Sequence, residues 1–303
     1  MRKLIFLCLV FTVITQLFTF ESVCYGQEYV KSLKQITRHE AIDYFPTWSP
    51  DGKWIAFSTQ RAGGNIWKIP SAGGEAIQVT KIRSNHPRWS PDGSYIAFDV
   101  GGNKGMIVSS DGGQEIRIIP EVIEFNRGLF LCWNKKGSSI MYSAKGDIWL
   151  VELGTGKFGR IFHKEGFEAR GLSFSPDEKY ITADVGTAGK RKADDNVWLI
   201  PVDGGEPIVL TDLPGREGNP VFSPDGTMIA FMGEVNNAVR HIYVMTTDGK
   251  KSAKLTDHDG FNANPRWSPD GTKILFASDK AGNPDIWVME LDITRLKNAL
   301  GIN

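Results

Sequence analysis

Five histidines, His39, His86, His163, His241 and His258, carry the widest chemical range in this 303-residue chain. Neutral imidazole ligates transition metals and exchanges protons near pH 7. No His-x-x-x-His pair exists, so a metal centre would need ligands converging from distant stretches. Glu168, Glu217, Arg127, Arg170, Asn219 and Asn264 add charge and hydrogen-bonding capacity, while Tyr44, Phe45 and Phe130 add aromatic surface. Such a set suits either metal-assisted cleavage or a polar, aromatic-edged binding face. Nucleophilic catalysis lacks its usual settings. Gly171-Leu172-Ser173-Phe174-Ser175 approaches a Gly-x-Ser-x-Gly elbow but lacks the last glycine. There is no CxxC pair and no glycine loop ending in Lys-Ser/Thr.

The elements that must position these side chains are repeats. Trp48-Ser49-Pro50-Asp51-Gly52 recurs at Trp89–Gly93 and Trp267–Gly271, and with phenylalanine at Phe222–Gly226. Phe174-Ser175-Pro176-Asp177-Glu178 loses the glycine, and Trp133-Asn134-Lys135-Lys136-Gly137 keeps only the aromatic and the glycine. The anchors at 48, 89, 133, 174, 222 and 267 are spaced by 41 to 48 residues, the period of a propeller array. Ser-Pro-Asp-Gly has the chemistry of a tight turn between two strands. The turn role accounts for Asp51, Asp92, Asp177, Asp225 and Asp270 without a catalytic one. Glu178 predicts either a different turn or strain of roughly 1–2 kcal/mol from a left-handed residue with a side chain.

The second strand of each unit carries an isoleucine at 55, 96, 140, 181, 229 and 274, within runs that are apolar on successive residues. Both sheet faces are therefore expected to be covered. A third strand follows, as in Asn65-Ile66-Trp67 and Asp285-Ile286-Trp287, and a fourth ends in Val79-Thr80, Leu210-Thr211 and Leu255-Thr256. The last unit lacks a fourth strand, whereas Leu33-Lys34-Gln35-Ile36-Thr37 matches that pattern ahead of the first unit. The predicted fold is all-β: a six-bladed propeller of four-stranded antiparallel blades, closed by an N-terminal strand that completes the last blade. The propeller is expected over 27–292, with 293–303 a short C-terminal tail.

These turn and strand motifs resemble the TolB-like propeller family, without the α/β domain that precedes the propeller in TolB. The resemblance implies a periplasmic propeller whose channel-mouth face receives a protein partner. In such a disc the inter-blade crossings and second-to-third loops share one face. The candidate binding residues on it are His39, Tyr44, Phe45, His86, Arg127, His163, Glu168, Arg170, Glu217, Asn219, His258 and Asn264. The expected function is non-catalytic binding of a protein or cell-envelope component, with no cofactor and no metal. The alternative is a metal-dependent lyase or hydrolase acting on acidic oligosaccharides at the same face.

Met1-Arg2-Lys3 followed by an apolar run to Phe20 predicts a secretory signal peptide over 1–26, hence a periplasmic or secreted protein with no further membrane span. Cys132 is then the one cysteine left, expected as a buried core residue. Thirty-five basic and 35 acidic residues give zero net charge, which argues against nucleic-acid binding through phosphates.

Overall fold

A computed structural model of the chain describes residues 26–102, 104–118, 130–188, 195–235 and 238–302; residues 1–25 of the predicted signal peptide and Arg127 lie outside them. Six four-stranded antiparallel sheets form the blades of the propeller. Blades 1 to 5 span 43–78, 85–117, 131–162, 167–209 and 217–254. Blade 6 combines 262–291 with the N-terminal strand Val30–Gln35, which pairs antiparallel with Asp285–Leu291.

Closure copies the chemistry of the other blades. At the end of the fourth strand a threonine hydroxyl accepts the N–H of the third strand: Thr80 from Ile66 (2.9 Å), Thr211 from Val197 (2.8 Å) and Thr256 from Ile242 (3.0 Å). In blade 6 the same bond runs from Ile286 to Thr37 (2.9 Å), across 249 residues of sequence. The segment after Asp292 folds as a helix, Ile293–Leu300, with Asp292 as N-cap and Gly301 as left-handed C-cap. Its Leu296 and Leu300 pack with Tyr29. Arg295 reaches Glu28 (2.7 Å) and Lys297 reaches Asp225 in the turn of blade 5 (2.7 Å).

The core lies between blades. The six isoleucines of the second strands are all fully buried. Ile66 of blade 1 packs with Ile96 and Phe98 of blade 2, and Phe57 of blade 1 with Leu275 and Val288 of blade 6. Apolar faces on both sides of every sheet follow directly from this stacking.

The anchor turns form a second belt. Ser49 Oγ donates to Asp51 (2.6 Å) and accepts from Trp54 N–H (2.9 Å), while the Gly52 N–H closes on Ser49 O (2.9 Å). The arrangement recurs at Ser90, Ser175, Ser223 and Ser268. Each turn proline lies on the glycine of the next turn: Pro50 on Gly93, Pro91 on Gly137, Pro176 on Gly226, Pro224 on Gly271 and Pro269 on Gly52. Between blades 3 and 4 both partners have changed, to Lys135 and Glu178. Glu178 keeps the turn in left-handed conformation (φ 59°) and its carboxylate accepts the Lys135 N–H, a donor that proline would not have. The two departures are one exchange of packing for a hydrogen bond. A double-mutant cycle on Lys135→Pro and Glu178→Gly should therefore give a favourable coupling of about 1 kcal/mol, read from urea midpoints. Strict additivity would mean that the positions are independent.

Candidate functional site

The inner strands of blades 1, 2, 4, 5 and 6 each carry a register shift shortly before the anchor. The residue three before the anchor has positive φ in all five: Phe45 (50°), His86 (53°), Gly171 (60°), Asn219 (54°) and Asn264 (57°). The bulge re-aims these side chains. Phe45, His86, Asn219 and Asn264, with Phe130 at the matching position of blade 3, line a cavity of about 590 Å³.

One side of the cavity is aromatic. His86 lies between Phe45 (ring centres 4.0 Å apart) and Phe130 (4.6 Å), and Tyr44 meets Phe45 edge-on at 5.1 Å. The buried carboxylate of Asp99 holds His86 Nδ1, while its other oxygen accepts the Gly102 N–H (3.0 Å). Tyr44 Oη donates to Asn85 (3.2 Å), and burial pushes its pKa up.

The other side is polar. Asn264 Nδ2 donates to Asn219 Oδ1 (2.9 Å). Arg170 and Arg216 both bind the buried Asp195 (2.9 and 3.2 Å) and approach Asp184 (3.8 and 4.0 Å). Arg240 binds Glu234 (2.9 Å) and covers the Phe261 ring at 5.3 Å. The mouth arginines are thus held by carboxylates and present positioned donors rather than loose charge.

The structure gathers Tyr44, Phe45, His86, Arg170, Asn219 and Asn264 in this lining, and the other described candidates lie outside it. Glu168 is outside it, bound to Arg170 at 3.3 Å. His39 is exposed, its ring accepting Ala41 N–H (2.9 Å). His163 binds Asp147 (2.7 Å), and His258 binds Asp279 (2.9 Å) in a separate cleft of about 280 Å³. His241 is buried against Thr256 (3.2 Å), and burial lowers its pKa. Each histidine therefore has its own partner. Among the described residues no three His, Cys, Asp or Glu side chains converge to hold a metal.

Glu217, another of the candidates, does not line the cavity. It is fully buried, with Oε1 accepting Leu213 N–H (2.7 Å) and Oε2 without a hydrogen-bond partner among the described residues. Burial raises its pKa to about 8 from an ordinary 4.5. The native state keeps a proton there that the unfolded chain has lost. Its contribution is therefore complete below about pH 4.5 and disappears as pH rises through 8. Glu217→Gln should flatten the stability–pH profile in that window by up to about 1.4 kcal/mol per pH unit, measured as urea midpoints at pH 5, 6.5 and 8. Parallel wild-type and variant profiles would show that the carboxyl does not titrate there.

Sequence reasoning missed the ring as a ring. Its signal is Phe45-Pro46, His86-Pro87, Asn219-Pro220 and Asn264-Pro265, each three residues ahead of an anchor. Phe261, Arg216, Arg240 and Met232 also line the cavity, and no motif marks them.

Comparison with known proteins bears on this geometry. The family model TolB beta propeller domain matches residues 173–299. An uncharacterized protein, Atu1656, from Agrobacterium fabrum (strain C58 / ATCC 33970) is 25% identical over 200 residues, covering 62% of this chain and 64% of its own. An uncharacterized peptidase, YuxL, from Bacillus subtilis (strain 168) is 31% identical over 194 residues, covering 61% of this chain and 21% of its own. The chain thus spans less than two thirds of either relative. Among solved structures, a protein from Agrobacterium tumefaciens provisionally assigned as TolB superposes with TM-score 0.66 at 22% identity, over 86% of this chain and 97% of its own. An oligogalacturonate lyase in complex with manganese superposes with TM-score 0.59 at 16% identity, over 86% and 93%. At these identities the structural likeness speaks for the fold alone. Among the described residues no helix is long and apolar enough to cross a membrane.

Proposed function

We propose that this TolB-like six-bladed propeller is an exported binding protein that receives a segment of a protein partner in its channel mouth, without catalysis. One observation carries the proposal: a cavity of about 590 Å³ with an aromatic wall of Tyr44, Phe45, His86 and Phe130 facing amides and carboxylate-held arginines. Stacked rings bury apolar side chains, while Asn219, Asn264 and the arginines fix orientation through hydrogen bonds. An Asp-held histidine between two phenylalanines is a positioned donor or acceptor, and no activated nucleophile stands beside it in the lining. Export follows from the leader-like residues 1–26.

Affinity capture from the native cell envelope tests this, comparing wild type with Phe45→Ala/Phe130→Ala. Both proteins should melt cooperatively, and the double variant should recover at least tenfold less of the wild-type partner. Equal recovery by both would overturn the proposal. N-terminal sequencing of the exported protein should begin at Gln27; retention of Met1 would overturn export with cleavage.

A further inference from the structure

The residue just before each anchor occupies one register position on every inner strand: Thr47, Arg88, Cys132, Ser173, Val221 and Arg266. Arg88 pairs across its sheet with Ala97, Cys132 with Met141 and Arg266 with Leu275, each the residue that follows a core isoleucine. These three therefore stand at one height in blades 2, 3 and 6. Both arginines are about nine-tenths buried, at 9% exposure each.

Their partners set them apart. Arg61, Arg160, Arg170, Arg216 and Arg240 all bind carboxylates, at 2.8 to 3.2 Å. Arg88 and Arg266 bind none among the described residues. Each donates through Nη1 to the carbonyl of the proline before it, Pro87 or Pro265, at 2.8 Å. A guanidinium has five N–H donors, so most of this donor capacity is unused. The two side chains lie at the same register height on the inner strands of blades 2 and 6. Cys132 stands on the blade opposite Arg266 in the six-membered ring, yet its thiol feels both guanidinium charges, as does each arginine the thiol. Burial lowers the pKa of Arg88 to about 10 and also lowers that of Arg266, to which the Arg88 charge adds.

Buried cations without counter-charge are costly and are normally paired. Arg88 and Arg266 feel Asp99 and Asp184 only at a distance and form an ion pair with neither; on the inner strands of blades 2 and 6, with planar forks free, they match the oxygens of a carboxylate or phosphate group. We infer that Arg88 and Arg266 form an oxyanion-binding site on the propeller axis, two residues further along the inner strands than the ring that lines the mouth. The ligand is one carboxylate or phosphate group, either free in solution or carried on a molecule that enters the channel. This site stands independently of the partner proposed above.

Melting temperature at matched pH and ionic strength tests it, with sodium chloride, inorganic phosphate and acetate as the anions. Phosphate or acetate should raise the wild-type midpoint above that in chloride, and whichever acts more strongly identifies the preferred oxyanion. Titration calorimetry should show binding weakened at least tenfold in Arg88→Met and in Arg266→Met, and unchanged in Arg160→Met. A wild-type midpoint indifferent to the anion, or variants that respond as the wild type does, would overturn the site. A second readout needs no variant. Alkylation of Cys132 in the wild type, followed by peptide mass spectrometry at pH 8, should slow at least threefold in the stabilising anion, because charge neutralisation beside the thiol disfavours thiolate. An unchanged rate would equally overturn it.

Discussion

Deleting residues 28–37 is expected to abolish the cooperative thermal transition of the propeller. The strand Val30–Gln35 contributes five paired positions to blade 6, and Ile36 and Thr37 add backbone bonds to Ile286 (2.8 and 3.4 Å). Tyr29 and Ile36 are buried at 2% and 6% exposure. At about 1 kcal/mol net per hydrogen bond and about 2 kcal/mol per buried large side chain, the loss rivals the whole stability of a domain, about 5–15 kcal/mol. Deletion also exposes the long edge of Asp285–Leu291 to intermolecular pairing. Circular dichroism melts and limited proteolysis read the outcome. Thr37→Val, which removes the hydroxyl that accepts Ile286 N–H and reaches Asp285 (2.9 Å), should keep the fold and cost about 1–3 kcal/mol. A deletion variant that melts cooperatively within a few degrees of wild type would show that the ring does not depend on closure.

The second large effect is expected at Gly171→Ala, with a cost of about 3–5 kcal/mol. Gly171 has φ of 60°, and a methyl there would overlap Asp184 Oδ1 and come within 3.2 Å of the Asn219 N–H. Asp184 cannot step aside freely. It is 1% exposed, its Oδ1 accepts Asn219 N–H at 3.2 Å, and Arg170 and Arg216 flank it. Displacing it disturbs a buried charge network, which is among the dearest changes a core undergoes. Gly204→Ala supplies the control: φ is 89°, but nothing lies within 4 Å, so only backbone strain of about 1 kcal/mol is expected. Urea midpoints of the two variants separate the causes. Equal losses would mean that Asp184 accommodates the methyl.

The architecture was legible because turns and strands are local and repeat. Six anchors, six isoleucines and a spare Leu-x-x-Ile-Thr segment at the start require six blades and a borrowed strand, and the sheets follow that plan. Position at the mouth was legible only in part. Tyr44, Phe45, His86, Arg170, Asn219 and Asn264 line the cavity because they sit at or beside the bulge, whose place is tied to the anchor. Glu217, His163 and His258 lie in or near the crossings yet turn to buried or lateral partners, a choice made by neighbours on other strands. The helix Ile293–Leu300 escaped notice because eight residues with two buried leucines give a weak periodic signal.

The union of Thr37 with Asp285, 248 positions apart, also governs when the protein becomes whole. On the ribosome the opening segment is made first and waits for its mate until the strand Asp285–Leu291 has been made. Every earlier length of nascent polypeptide is an open crescent with two unsatisfied rims, so premature termination upstream of 285 yields material for aggregation or degradation instead of a smaller working disc.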